Sequence, residues 1–109
     1  MSLALALLSA HLLGDFYLQP SWMAKQKMDN VRIRLVHAYI HGVLAIAFLV
    51  FVLSDFAQVA LAGLFVLVVH FIIDSRRWVE APEDFPLYPV CVDQSFHVVS
   101  LYVLVVVVL

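Results

Sequence analysis

The chain has 109 residues, of which 65% are apolar and 13% charged, with a formal net charge of −2. Soluble globular domains carry about half apolar and about a quarter charged residues, so this composition excludes a soluble domain. Without a basic patch or tail, nucleic acid is excluded as a partner. The single cysteine, Cys91, excludes an internal disulfide and a thiolate metal site, and it reads as a small apolar side chain near a helix start.

The apolar residues fall in runs at 3–13, 43–53, 59–69 and 98–109. A bilayer core about 30 Å thick takes about 20 mostly apolar residues per helix, so this length fits four crossings with short connections. The expected fold is all-α: an integral-membrane antiparallel four-helix bundle, with residues 1–109 as one transmembrane domain. The first helix is predicted over 2–19, ended by Pro20, which turns the residue before it away from helix geometry. Only Met1 and Ser2 precede its apolar run, with no basic n-region, so it reads as a membrane helix rather than a signal peptide. Residues 21–30 form a polar, amphipathic connector resting on the membrane, with Trp22 and Met23 at headgroup level. The second helix is predicted over 31–53. Ser54 and Asp55 are N-cap candidates for the third, over 56–79. Residues 80–89 hold three prolines and three acids and read as an exposed loop, and the fourth helix fills 90–109.

Orientation follows from the basic residues. Lys25, Lys27, Arg32 and Arg34 lie in or beside the first connection, and Arg76 and Arg77 beside the third, all at one end of the helices. The positive-inside rule makes that end cytoplasmic and places both termini on the other side of the inner (cytoplasmic) membrane.

Groups that a bilayer penalises sit inside these apolar helices at regular spacing. His11 and Asp15, His37 and His41, His70 and Asp74, and Asp93 and His97 are each four residues apart, one pair per helix, and include every histidine in the chain. Residues four apart stack on one helix face. Because alternate helices run in opposite directions, all four pairs fall at one depth: a shallow layer of Asp15, His37, Asp74 and Asp93, and a deeper layer of His11, His41, His70 and His97. A weak repeat accompanies them, since His11 to Trp22 and His70 to Trp78 share a His-x-x-x-Asp and a downstream tryptophan. Parallel repeats of this kind relate two halves by an axis along the membrane normal.

Imidazole and carboxylate together suit a divalent metal, zinc foremost, with iron or manganese as alternatives; the absence of Cys and Met from the two layers argues against copper(I). Five His and three Asp are too many for one tetrahedral ion and ample for two. A metal pair about 3.5–4 Å apart activates water and clamps the attacking and leaving oxygens of a phosphoryl or acyl group. Polar glue between helices is the plain alternative, but about 0.6 kcal/mol per contact does not explain eight ionisable groups that each cost about 2.5–3.5 kcal/mol when charged and unpaired at mid-bilayer. At the rim, Arg34, Arg77 and Gln19 share the faces of the pairs. Arg34 and Arg77 are candidates to hold an anionic group, against the plainer role of setting topology. Gln94, Ser100, Tyr39 and Tyr102 are either supports for ligating histidines or ordinary helix contacts.

The ordered set His11 to Trp22, His37 with His41, His70 to Asp74 with its following basic residues, and Asp93-Gln94 with His97 resembles the bacterial and phage membrane family known as domain of unknown function 3307. The resemblance spans nearly the whole chain. More distantly, the arrangement is similar to small membrane-bound metal-dependent hydrolases, which implies hydrolysis by analogy of site. The expected function is therefore a cytoplasm-facing di-metal hydrolase acting on a lipid or lipid-linked anionic substrate. Asp15 or Asp74 would bridge the ions, the deep histidines would be terminal ligands, and Arg34 and Arg77 would hold the head group. A di-iron lipid oxidase or hydroxylase, and a metal-ion or proton carrier, are the alternatives. The apolar outer faces are equally compatible with a monomer and a homodimer.

Overall fold

A computed structural model of the protein describes residues 2–76 and 78–109, and no strand occurs among them. The elements are α1 (Leu3–Tyr17), α2 (Ser21–Gln26), α3 (Val31–Leu49), α4 (Phe56–Ile73) and α5 (Tyr88–Val108). Three of them, α3, α4 and α5, are long and apolar enough to cross a membrane. Four helices of that length are expected from the sequence; α1 is apolar but shorter. Its ten α-helical residues continue into a wider winding over Leu13–Tyr17, where the Leu18 N–H donates to the Leu13 carbonyl five residues back.

Side-chain caps start α1, α3 and α4, and proline marks the start of α2 and α5. Ser2 caps α1 by accepting from the Leu5 N–H, and the extended Pro20 opens α2. Asn30 caps α3 by accepting from Arg32 and Ile33. Of the two predicted caps for α4, Asp55 is used, accepting from the Ala57 N–H at 2.8 Å. The third helix, predicted to reach residue 79, stops at Ile73. There the Ser75 hydroxyl donates to the Ile72 carbonyl and the Trp78 indole N–H to the Ile73 carbonyl, which closes the end early. In α5, Pro89 fits the first turn, where no N–H is required, so the helix starts before the predicted residue 90.

α1, α3, α4 and α5 meet in one apolar core built by Leu7, Leu49, Val66 and Leu104 with the small residues Ala6, Ala45 and Ala62. On α1 and α4 these residues precede the histidines; on α3 and α5 they follow them, so successive long elements run antiparallel and the core lies beyond the histidines, towards the chain ends. Small residues let α3 and α4 approach closely: a Cβ on Gly42 would lie 3.1 Å from the Gly63 carbonyl oxygen, and one on Gly63 would lie 2.5 Å from Ile46 Cγ1. The outer faces remain apolar, with Leu64, Val68 and Ile72 on α4 and Val99, Tyr102 and Val106 on α5 exposed. A bilayer solvates such a surface and water does not.

Candidate metal centre

All five histidines are buried, together with Asp15 and Asp74. Their elements deliver them as the i,i+4 pattern requires, and the layers predicted from the sequence are recognisable. In the deeper layer the rings of His41 and His70 stack with centroids 3.7 Å apart, His70 and His97 lie 4.2 Å apart, His97 and His11 4.9 Å, and His11 and His41 5.4 Å, closing a ring of four imidazoles. Gly14 makes room for this ring, since a Cβ there would stand 2.5 Å from His41 Cε1. In the shallow layer the His37 Nε2 lies between two carboxylates, 3.1 Å from Asp15 Oδ1 and 3.3 Å from Asp74 Oδ2. Asp93 stands at the edge, its side chain 24% exposed and its Oδ2 3.6 Å from His97 Nδ1.

Asp15 is the hub. Its Oδ1 faces His41 Nε2 at 2.9 Å and His37 Nε2 at 3.1 Å, and its Oδ2 accepts from the Gln94 amide at 2.6 Å. The wide turn of α1 contains this residue, and such turns recur at functional sites. Among the described residues, two groups of donor atoms are close enough to hold an ion: His11, Asp15, His41 and His70, and Asp15, Asp93 and His97, with Asp15 common to both.

Hydrogen-bond accounting fixes several imidazole tautomers. His70 Nδ1 donates to the Val66 carbonyl at 3.2 Å and His97 Nδ1 to the Asp93 carbonyl at 2.9 Å, so both turn a bare Nε2 inward. The His97 Nε2 is buried with no hydrogen-bond partner. Because the Gln94 amide nitrogen donates to Asp15, its oxygen faces His11 Nε2 at 2.7 Å and that nitrogen must be the donor. In a neutral ring the Nδ1 of His11 is then bare, and it lies 3.2 Å from the Nε2 of His70. Two imidazole nitrogens at that distance share either a proton, as a hydrogen bond, or a metal ion. Donors on one tetrahedral zinc ion, with bonds of about 2.0–2.1 Å, are about 3.3 Å apart. The donor set therefore fits a metal, and backbone carbonyls behind the histidines supply the orienting contacts that metal-ligating imidazoles need.

Not every rim residue goes where helical spacing predicts. Arg34 donates to the Met28 carbonyl at 3.1 Å and lies over the Phe71 ring at 4.5 Å, and it is not part of the cavity beside the centre. Arg77 lies outside the described residues. Lys27 reaches the centre instead, its Nζ 3.2 Å from Asp74 Oδ1, and Arg76 joins the cavity wall. Neither was singled out as a site residue; the one available signal was that both carry charge in the connections that open on the shallow layer. Gln19 ties its amide to the Asp15 carbonyl, and Gln94 links His11 to Asp15. Ser100 donates only to the His97 carbonyl, and Tyr39 and Tyr102 point outward.

No curated protein and no solved structure matches the chain. A family model described as "Protein of unknown function (DUF3307)" matches residues 3–109, a span that holds all eight His and Asp of the centre, and the chain belongs to that family.

Proposed function

We propose that the protein is a membrane-embedded, metal-dependent hydrolase whose His/Asp centre opens to the cytoplasmic face and acts on a lipid or lipid-linked anionic substrate. The observation that carries this reading is the buried cluster of His11, Asp15, His41 and His70, whose donor atoms lie within 4.8 Å of one another, with His11 Nδ1 and His70 Nε2 only 3.2 Å apart. One ion would be held by His11, His41 and His70 and a second by His97 and Asp93, with Asp15 shared between them; His37 and Asp74 stand beside both as further donors. Nitrogen and oxygen donors without thiolate favour zinc over softer choices. When bound, a pair of such ions supplies Lewis-acid activation of water and neutralises charge developing on a phosphoryl or acyl group. The chain's own residues hold and orient: Gln94 fixes His11 and Asp15 relative to each other, His70 and His97 are aimed by carbonyls, and the apolar core beyond them excludes water.

In this reading α1 crosses with the other three helices as the fourth member of a bundle. Local bilayer thinning accommodates its shorter apolar length, and both termini lie on the non-cytoplasmic side. Elemental analysis of detergent-purified protein tests the centre. Two zinc-class ions per chain are expected in the wild type and loss of both in His41→Ala; wild-type protein without metal would sink the reading. Zinc-restored release of product from a lipid phosphoester or ester by chelator-treated protein tests the hydrolysis.

A further inference from the structure

A cavity of about 220 Å³ opens beside the shallow layer, and its wall has an unusual charge make-up: three carboxylates, Asp15, Asp74 and Asp93, and two cations, Lys27 and Arg76. Lys27 comes from the first connection, just past α2, and Arg76 from the segment after α4. The Lys27 side chain is 12% exposed, and its ammonium rests 3.2 Å from an oxygen of the fully buried Asp74. Arg76 stacks over Trp78 at 4.8 Å and, among the described residues, has no carboxylate within ion-pair reach. Its guanidinium is held in place by an aromatic ring and keeps its donors for something else.

Without metal, the carboxylates outnumber the cations and the cavity repels anions. Divalent ions reverse the balance, because their charge cancels the carboxylates and leaves the ammonium of Lys27 without its partner. A lysine supplies a compact point charge and an arginine a planar fork of donors, and the two together match a tetrahedral oxyanion. We propose that this cavity is a binding site for a phosphate-type anion, with Lys27 and Arg76 as its two basic arms, and that Lys27 turns to the anion only when a divalent cation takes over Asp74. The inference rests on the metal reading above and gives its substrate class a place. The arms are Lys27 and Arg76, where helical spacing suggested Arg34 and Arg77. Trp78, of a residue type enriched at the depth of lipid headgroups, lines the same wall.

Equilibrium dialysis of radiolabelled inorganic phosphate against the detergent-purified full chain tests it, with zinc-loaded and chelator-stripped protein compared. Zinc-loaded wild type is expected to bind phosphate at least tenfold more tightly than stripped protein. Lys27→Met and Arg76→Met are each expected to weaken binding about tenfold or more at unchanged zinc content, with Lys27→Arg largely restoring it. Displacement by a short-chain phosphatidate, but not by a phosphatidylcholine of the same chain length, assigns the anion to a lipid headgroup. Displacement by neither assigns it to free phosphate. Equal binding by wild type and both variants, or by loaded and stripped wild type, overturns the inference. Zinc content separates the two levels: no zinc in the wild type fails the metal reading, whereas zinc present with phosphate indifferent to the basic residues fails only this one. Should Lys27→Met lose zinc, Arg76→Met carries the test, since its side chain touches no donor of the centre.

Discussion

Asp15 shows how one side chain can organise a buried polar site. Both of its oxygens are engaged, one by His37 and His41 and the other by Gln94, and its own helix supplies Gly14 so that the His41 ring can reach it. Gly14→Ala places a Cβ inside the His41 ring envelope. Overpacking of this kind costs about 1–3 kcal/mol, and the ring must leave its place between Asp15 and His70. The expected result is a lower thermal midpoint together with a loss of metal affinity of about 10-fold to 100-fold, measured by chelator competition; wild-type affinity in Gly14→Ala would show that His41 does not need this position. Residue-level chemistry was legible where it followed the helix period: the eight His and Asp stand four apart, and seven of them are buried. Arg34 obeys the same spacing, three residues before His37, yet its long side chain turns back to the Met28 carbonyl. A Cα position on a helix face does not fix where a flexible charged head ends up. Lys27 is the converse case, since a connector has no period to place it.

At the level of elements, the α3 and α4 pair sets the spacing of the centre, because it stacks His41 on His70. Gly42 and Gly63 hold that pair together by leaving out side chains, and their surroundings differ. A Cβ on Gly42 meets a backbone carbonyl first, at 3.1 Å, which cannot yield without moving the helix, whereas a Cβ on Gly63 meets the Ile46 side chain at 2.5 Å, ahead of the Gly42 carbonyl at 3.3 Å. Gly63→Ala is therefore expected to be destabilising alone and partly rescued by Ile46→Ala, with a coupling of about 0.5–3 kcal/mol in a thermal double-mutant cycle. Additive effects would mean that Ile46 is not what Gly63 makes room for. The existence and order of α1, α3, α4 and α5 were readable from apolar runs, Pro20 and Asp55, whereas α2 falls in a stretch that reads as a connector. Their ends were less so, because they depend on local hydrogen bonds such as those of Ser75 and Trp78 that cut α4 short of its predicted end. The wide turn at Leu13–Tyr17 has no signal in composition at all.

For the whole molecule, the decisive feature is polarity along the helix axes: an apolar core towards the chain ends and charged groups with the cavity at the other end. Residues from the first and third connections meet in that cavity, as they must if both lie on one side of the membrane. Cys91 is exposed in the first turn of α5, beside the cavity-lining Pro89 and Val90, and is the chain's one thiol. A membrane-impermeant maleimide is expected to label it in inverted membrane vesicles and not in intact spheroplasts. Labelling only in spheroplasts would reverse the proposed orientation and place the centre on the outer side.

The wide turn of α1 also bears on how this chain can change length. A turn closed five residues back holds one residue more than regular helix would use, so removing a single residue between Leu13 and Tyr17 need not break the helix. Deleting Leu13 or Phe16 would let an ordinary turn close there and leave the helix on either side in nearly the same orientation, with His11 still at Gln94 and His70. An extra residue in a turn that already holds its surplus would instead rotate everything before it by about 100°. Placed between His11 and Asp15, it would take His11 away from Gln94 and His70 while Asp15 stayed with His37 and His41, and the centre would be divided with all eight of its ligand-type residues still present in the gene. The sign of a length change in this short stretch is therefore as informative about inheritance of the centre as the identities of the His and Asp themselves.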